Sequence, residues 1–407
     1  MTASRTEVGQ NGRQAASPPG HDFLNVEAHL SEGELAVRDR VRSFVRERIK
    51  PNIKDWFDGA VFPKEIVPEF AGLGLLGMHL SGYGCAGRSA VEYGLACMEL
   101  EAGDSGLRTF VSVQGSLAMS AIHKFGSEVQ KQDWLPRMAR GEAIGCFGLT
   151  EPTAGSDPAS MKTFARRSPD GSDWILSGEK RWIGLATIAD VAVVWARTDE
   201  EGNPVRGFLV PTDAPGFVAR DITPKLSMRA SIQCDVTFDD VRLPGDAMLP
   251  EARGLGGPFA CLNEARYGII WGAMGAARDC YESALAYAGE REQFGQPIGS
   301  FQLVQQKLVN MLIEIEKGTL LALHIGRMKD AGTLGPEQIS LGKLNNVREA
   351  IEVAREARTV FGGNGVTLDY PPMRHMANLE SVRTYEGTDE VHTLILGNAI
   401  TGIQSFR

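Results

Sequence analysis

The chain contains 407 residues, of which 43% are hydrophobic and 23% are charged. This length and composition indicate a protein of two or three domains with a large buried core. Fifty-one acidic residues against 42 basic residues give a formal net charge of -9. That balance disfavours nucleic acid as the main partner, because nucleic-acid-binding domains normally carry a basic surface.

The six cysteines and seven histidines are dispersed along the chain, with no CxxC, no HExxH and no other metal-ligand spacing. Dispersed cysteines in a chain of this length are usually small buried hydrophobic residues of a protein in a reducing compartment. We therefore expect no metal site that is built from protein side chains.

The first 25 residues are predicted to form a disordered tail. Residues 1–20 are small and polar, end in Pro-Pro-Gly, and lack the apolar run of a secretory signal. No stretch of the chain reaches the roughly 18 to 20 apolar residues that a membrane-spanning helix needs. We expect a cytoplasmic protein without a membrane span.

The sequence pattern changes twice, which predicts three domains after the tail. Residues 26–145 follow a helical period that begins at a capping box formed by Ser31 and Glu34. Residues 146–255 consist of short apolar runs separated by Gly, Pro and Asp, as in a compact β domain. After a Gly-rich linker over residues 254–258, the helical period continues through residues 256–407. The predicted fold class is α+β.

Glu386, followed directly by Gly387, is a candidate general base. An apolar surround would raise the pKa of this glutamate by desolvation, as proton removal from carbon requires. A glycine at the next position lets a ligand approach the backbone without meeting a Cβ atom. The segment Tyr385–Thr388 also fits a surface glutamate at a loose turn of a helical region, so it does not decide the function alone.

Three loops are candidates for binding an anionic or heteroaromatic ligand. Phe147–Asp157 concentrates Gly, Pro, Ser, Thr and Asp at the junction of the first two domains. Arg291–Gly295 predicts a helix end with an arginine suited to a pyrophosphate, and Gly362–Gly365 predicts a turn where backbone can approach phosphate. No GxGxxG follows a predicted strand, so a Rossmann domain has no support.

Six motifs in order resemble the acyl-CoA dehydrogenase family; they are FGLTEPTAGSD, KRWIG, LSMRAS, REQFGQPIGSFQLVQ, VFGGNG and TYEGT. They cover nearly the whole chain after the tail. The resemblance implies the acyl-CoA dehydrogenase-like fold, with a middle β-barrel or sandwich domain and a C-terminal four-helix-bundle domain. It also implies FAD as the cofactor and an acyl-CoA thioester as the substrate.

Residues 104–114, 262–269 and 394–404 are similar to the glutaryl-CoA dehydrogenase branch of that family. This branch implies dehydrogenation of glutaryl-CoA followed by decarboxylation to crotonyl-CoA and CO2, as in lysine degradation. It further implies electron-transfer flavoprotein as the oxidant, and a homotetramer built as a dimer of dimers.

The resemblance assigns roles to matched positions. Glu386 is the base that removes the Cα proton. The positions implied to contact the substrate are Glu101, Arg108, Thr109, Ser156, Phe259, Asn263, Arg266, Tyr385 and Gly387. The positions implied to bind FAD, some of them across a subunit interface, are Cys146, Phe147, Gly148, Leu149, Thr150, Gly155, Trp182, Ile183, Gly184, Arg291, Phe294, Gln302, Thr359, Val360, Phe361, Gly362, Gly363, Thr388 and Phe406.

Arg108 decides the substrate prediction. A charged arginine at the blind end of an acyl pocket is costly unless an anion meets it, and a dicarboxylic acyl group supplies that anion. Glu101, seven residues earlier, would lie two helical turns back and could orient the guanidinium. The alternative is an arginine paired at the surface with Asp104 or Glu101.

Two positions depart from the family pattern. Thr109 replaces the serine that usually follows the arginine in the branch, and Gly184 replaces a threonine that many members carry after Trp-Ile. The KRWIG stretch also resembles the short-chain acyl-CoA oxidases. Those oxidases lack the arginine at the position equivalent to Arg108. The second possible function is therefore a short-chain acyl-CoA dehydrogenase or oxidase that does not decarboxylate. The third is a catalytically inactive relative that acts as a scaffold.

Overall fold

The computed structural model describes residues 22–404. Its N-terminal part is helical, with α1 (Glu32–Phe44), α2 (Ile53–Asp58), α3 (Val67–Gly72), α4 (Ala90–Gly103), α5 (Ser105–Val111), α6 (Ser120–Phe125) and α7 (Glu128–Ala139). The predicted capping box is present, since Ser31 Oγ accepts from the Glu34 amide and the Glu34 carboxylate accepts from the Ser31 amide. Ser112–Met119 continues α5 toward α6 as a π-helical segment.

The middle part is one mixed sheet of seven strands, namely β1 (Gly145–Gly148), β2 (Phe164–Arg167), β3 (Asp173–Gly184), β4 (Val191–Thr198), β5 (Val205–Pro211), β6 (Phe217–Asp221) and β7 (Gln233–Pro244). The strand order is β1-β4-β2-β3-β7-β6, and β5 pairs with β4. The register between β3 and β7 shifts between Lys180 and Ile183, where Trp182 adopts a positive φ of 63°. Such an irregularity bends a strand locally.

The C-terminal part is a helical bundle. It contains α8 (Gly256–Glu290), a hairpin of β8 (Glu292–Gln293) and β9 (Gln296–Pro297), then α9 (Gln302–Asp330), α10 (Pro336–Val360), α11 (Pro371–Thr384) and α12 (Asp389–Thr401). Helices α8 to α11 pack together as the four-helix bundle, and α12 packs on α10. The α+β fold class with helical, β and helical parts is confirmed.

Close packing of α4 on α8 joins the two helical parts. A Cβ atom at Gly275 would lie 1.9 Å from the Met98 carbonyl oxygen, and one at Gly94 would lie 2.3 Å from the Trp271 ring. The absence of these side chains lets the two helices approach closely, with Trp271 fully buried between them. The acyl-binding candidates on α4 and α5 are thereby fixed against α8.

Three local predictions need correction. Residues 22–25, assigned to the tail, are ordered, because the amides of Phe23 and Leu24 donate to the Glu316 carboxylate on α9 at 2.7 and 3.2 Å. The linker predicted over residues 254–258 is shorter, since α8 begins at Gly256. The segment Tyr385–Thr388, assigned to a helical region, is a non-helical connection between α11 and α12. Within residues 22–404, no helix combines the length and apolarity needed to cross a membrane.

Candidate active site

The connection between α11 and α12 holds Glu386 in a left-handed backbone conformation with φ of 56°. Lys343 of α10 donates from Nζ to the carbonyl oxygens of Tyr385 and Gly387, both at 2.6 Å. Arg266 of α8 donates from Nε to the carbonyl oxygen of Glu386 at 2.7 Å. These three hydrogen bonds, called the carbonyl clamp below, hold three successive peptide groups from two helices.

Gly387 is required by geometry at its own position. Its φ is 96°, and a Cβ atom there would lie 2.9 Å from His392 Nε2 and 3.3 Å from an Arg266 nitrogen. The sequence suggested that this glycine admits a ligand, whereas the structure shows that it also admits two side chains of the protein. Thr388 then caps α12, since its hydroxyl accepts from the Val391 amide.

The carboxyl group of Glu386 is suited to proton abstraction. Its Oε2 atom is shielded from solvent and has no hydrogen-bond partner among the described residues. Burial raises the pKa of Glu386 above its ordinary value, and the charges of Arg108, Lys343 and Arg266 oppose that rise. A desolvated carboxylate with a free oxygen has the basicity and the accessibility that a general base needs.

Arg108 of α5 is fully buried, so the alternative of a surface ion pair is wrong. Its Nε donates to Glu101 Oε2 at 2.7 Å and its Nη2 to the Tyr385 hydroxyl at 2.6 Å, while Nη1 has no partner among the described residues. Thr109 Oγ1 lies 3.3 Å from the same Tyr385 hydroxyl. Burial alone would lower the pKa of Arg108, but the carboxylate of Glu101 raises it well above its ordinary value. The guanidinium is therefore charged.

The contact of Glu101 with Arg108 was expected, but its geometry differs. The two residues do not share one helix, because α4 ends at Gly103 and Asp104 adopts an extended conformation before α5. Asp104 does not pair with Arg108; its carboxylate accepts from Arg374 and from the Asn378 amide group. The helix break, rather than helical spacing, turns Arg108 back toward Glu101.

Gly272 of α8 makes room for the Glu101 carboxylate, since a Cβ atom at Gly272 would lie 1.9 Å from Glu101 Oε2.

The start of α8 supplies the remaining substrate candidates. Asn263 Oδ1 accepts from Arg266 at 3.2 Å, and Phe259 is partly exposed one turn earlier. Ser156 is exposed in the loop after β1.

The candidate flavin-lining segments from β1 and β3 lie side by side. The Arg181 amide donates to the Thr150 carbonyl at 2.9 Å, and Lys180 Nζ donates to the Leu149 carbonyl at 2.9 Å. This brings Cys146, Phe147, Gly148, Leu149, Thr150, Trp182, Ile183 and Gly184 into one region, with Gly155 in the exposed loop that follows. A Cβ atom at Gly184 would lie 3.3 Å from the side chain of Val113. Val113 follows Thr109 by about one helical turn. This region therefore adjoins the Arg108 site.

Apart from Thr388, which caps α12 beside Glu386, the other described candidate cofactor residues lie at the far end of the bundle. The rings of Tyr287 and Phe361 are 4.7 Å apart, and Lys307 Nζ donates to Thr359 Oγ1 at 2.5 Å, which places the β8–β9 hairpin beside the end of α10. This second cluster contains Arg291, Phe294, Gln302, Thr359, Val360, Phe361, Gly362 and Gly363. Thr359 follows Lys343 by sixteen residues, about 24 Å along α10. Phe406 lies outside the described residues.

The residues present fit a bound flavin. Trp182 exposes 53% of its surface at the irregular end of β3, and it offers an aromatic ring beside the loop after β1. At the second cluster, Phe294 exposes 93%, and nothing lies within 4 Å of a would-be Cβ at Gly362 or Gly363. Open backbone and exposed aromatic surface suit a phosphate and a ring system. Among residues 22–404, no cluster of potential ligands suits a metal ion.

Sequence reasoning missed Lys343 and His392. Lys343 interrupts the buried stripe of α10 between Ile339 and Val347, and a lysine at a core position is a detectable signal. His392 is buried, its Nδ1 lies 3.0 Å from Ser340 Oγ, and burial lowers its pKa to about 3. It is therefore a neutral packing partner of the Glu386 connection.

Family models for the N-terminal, middle and C-terminal domains of acyl-CoA dehydrogenase match residues 31–142, 146–241 and 252–401. The chain is 33% identical over 383 residues to the human mitochondrial short-chain specific acyl-CoA dehydrogenase, covering 93% of this chain and 92% of that protein. The chain belongs to the acyl-CoA dehydrogenase family.

Two solved structures of glutaryl-CoA dehydrogenases are similar to this chain. A glutaryl-CoA dehydrogenase from Mycobacterium smegmatis is 63% identical, with a TM-score of 0.93, and the match covers 95% of this chain and 99% of that chain. A glutaryl-CoA dehydrogenase from the same organism in complex with FADH2 is 58% identical, with the same TM-score and coverage. The chain is thus an acyl-CoA dehydrogenase that is similar to glutaryl-CoA dehydrogenases over nearly its whole length.

Proposed function

We propose that this acyl-CoA dehydrogenase oxidises glutaryl-CoA and releases CO2 to give crotonyl-CoA. FAD is the cofactor of the family, and the neighbouring structure at 58% identity contains its reduced form. The observation that carries the substrate proposal is Arg108, a buried guanidinium with one nitrogen, Nη1, that lacks a partner among the described residues.

A terminal carboxylate on the acyl chain would give that nitrogen the acceptor it lacks. Arg108, Arg266 and Lys343 lie near the carboxylates of Glu101 and Glu386 around the connection between α11 and α12. The third carboxylate nearby, that of Asp389, is already paired with Arg348 and Arg383. An anionic acyl group improves this local charge balance, whereas a butyryl chain leaves the arginine nitrogen desolvated and unpaired. The site thus favours a dicarboxylic acyl group.

In this proposal Glu386 takes the Cα proton of the thioester with its free Oε2 atom. When bound, FAD supplies the two-electron acceptor for the hydride that leaves Cβ. The carbonyl clamp holds the Glu386 peptide so that its carboxyl group keeps one position relative to Arg108. The product of this step is an α,β-unsaturated thioester with a γ-carboxylate.

Decarboxylation then follows from the structure of that product. The bond between the γ-carbon and the carboxylate breaks, its electron pair enters the conjugated thioester, and CO2 leaves. A proton returns to the carbon chain to give crotonyl-CoA, and Glu386, protonated in the first step, is the nearest proton donor that we assign. Arg108 orients the carboxylate before it departs.

A short-chain acyl-CoA dehydrogenase or oxidase without CO2 loss is the second candidate. The 33% identity to a short-chain specific enzyme supports it, and so does Gly184, which leaves the end of β3 without a side chain. Arg108 argues against this candidate, because a monoacyl chain offers its guanidinium no anion.

The assembly, oxidant and location are also proposals. The second cluster lies about 24 Å along α10 from Lys343, too far for one small ring system to touch both regions. A homotetramer in which this cluster completes the FAD site of a partner subunit accounts for the separation. We further propose electron-transfer flavoprotein as the oxidant, on family grounds, and a cytoplasmic location.

Replacing Glu386 by Gln is expected to keep FAD and acyl-CoA binding but to slow flavin reduction at least ~10²-fold, because the general base is lost. Burial raises the pKa of Glu386, so in the wild-type enzyme the active carboxylate form is lost as the pH falls through a value above 4.5. Stopped-flow absorbance measures the rate of flavin reduction in the variant and the pH dependence of that rate in the wild-type enzyme. Glu386→Asp should retain partial activity, and a Glu386→Gln enzyme that is reduced at the wild-type rate would refute the assignment.

Replacing Arg108 by Met should raise the KM for glutaryl-CoA strongly and stop CO2 release, because truncating one partner of a buried charge pair costs roughly 2 to 5 kcal/mol. Oxidation of butyryl-CoA should be spared or improved. The matched control is Arg278→Met, which breaks a buried pair with Glu99 on the other face of α4 and should lower stability without changing the substrate ratio. An unchanged ratio in Arg108→Met favours the short-chain alternative.

Replacing Arg291 by Ala should weaken FAD binding and loosen the tetramer together, because a ligand shared by two chains stabilises both. Flavin content after gel filtration, combined with light scattering, measures the two effects in one experiment. Arg140→Ala, which removes an exposed arginine paired with Glu142, is the control and should change neither. Flavin loss from an intact tetramer would place the Arg291 contact within one subunit.

A further inference from the structure

Lys343 is a buried lysine with an unusual set of partners. It exposes 2% of its surface and lies on the core face of α10 between the buried residues Ile339 and Val347. Among the described residues its Nζ forms no ion pair within hydrogen-bond distance; its two hydrogen bonds go to carbonyl oxygens. Burial of such a group is unfavourable, so a lysine at this position requires a specific reason.

The two carbonyl oxygens belong to Tyr385 and Gly387, the residues on either side of Glu386. One ammonium group thus joins the peptide before the glutamate to the peptide after it. Glu386 has a φ of 56°, which residues other than glycine rarely adopt and which persists only where the surroundings enforce it. Lys343 is placed to enforce it, because both flanking carbonyls must point to one atom.

We propose that Lys343 is a positioning residue that fixes the backbone of Glu386 for proton abstraction. The inference rests on the proposed role of Glu386 as the base. Lys343 forms no hydrogen bond to the reacting carboxylate or to Arg108; it holds the base through the two flanking peptide groups, and its charge also lowers the pKa of Glu386. A rotation of either peptide would swing the glutamate side chain away from the position set by the two helices.

The helix offers a matched control. Asn346, about one turn after Lys343, is also buried and also donates to two carbonyl oxygens, those of Ile270 and Gly318, at 2.9 Å each. Both acceptors lie within the bundle, away from the connection between α11 and α12. Asn346→Ala therefore removes two buried hydrogen bonds from a neutral side chain to backbone carbonyls, neither of which belongs to the Glu386 connection.

The experiment compares Lys343→Met, Lys343→Arg and Asn346→Ala holoenzymes by anaerobic flavin reduction, thermal unfolding and flavin content. We expect kcat of Lys343→Met to fall about 10²-fold with little change in KM, because a misplaced base slows the reaction without weakening binding. Lys343→Arg, which keeps a cation with several donors, should recover part of the loss. Asn346→Ala should unfold at a lower temperature but keep kcat near the wild-type value.

A wild-type kcat in folded Lys343→Met, or an equal loss of kcat in Asn346→Ala, would overturn the proposal. If Lys343→Met yields no folded holoenzyme, Lys343→Gln, which removes the charge but retains an amide group, is judged by the same criteria. The assays use both glutaryl-CoA and butyryl-CoA, and the loss should be proportional for the two. A wrong substrate assignment would instead appear as a wild-type preference for butyryl-CoA over glutaryl-CoA. A wrong base assignment would appear as flavin reduction at the wild-type rate in Glu386→Gln.

Discussion

The active site depends on one strained peptide. A non-glycine residue in the left-handed conformation costs of order 1 to 3 kcal/mol, and the surrounding structure must supply this energy. Here α8 and α10 supply it through the carbonyl clamp, in which Arg266 and Lys343 bind three successive carbonyl oxygens. The packing of the bundle therefore fixes the backbone of Glu386, because the long helices α8 and α10 carry these two cations.

The second constraint is the burial of charge around Arg108. The Glu101 carboxylate holds the guanidinium by one nitrogen, the Tyr385 hydroxyl accepts from another, and Gly272 leaves the space that this pair occupies. Tyr385 belongs to the same connection as Glu386, so one segment of chain carries both the proposed base and a hydroxyl that accepts from Arg108.

The order of helical and β segments and the capping box at Ser31 were predictable, because each is encoded locally by periodicity or by a motif. The family resemblance led us to expect a buried Arg108, and the role of Glu386 as the base rests on that resemblance and stays a prediction. The clamp was not predictable. A sequence shows that Lys343 lies on an apolar stripe, but the carbonyl groups it meets lie more than forty residues away. The break at Asp104 similarly depends on Arg374 and Asn378 in another part of the bundle.

We propose that the buried Arg108 site selects a carboxylate-bearing acyl chain whose oxidation releases CO2. Anaerobic mixing of the wild-type holoenzyme with glutaryl-CoA, with flavin absorbance and CO2 followed together, tests it most directly. We expect rapid bleaching of the flavin with one CO2 and one crotonyl-CoA formed for each flavin reduced. Bleaching without CO2, or bleaching by butyryl-CoA but not by glutaryl-CoA, would contradict it.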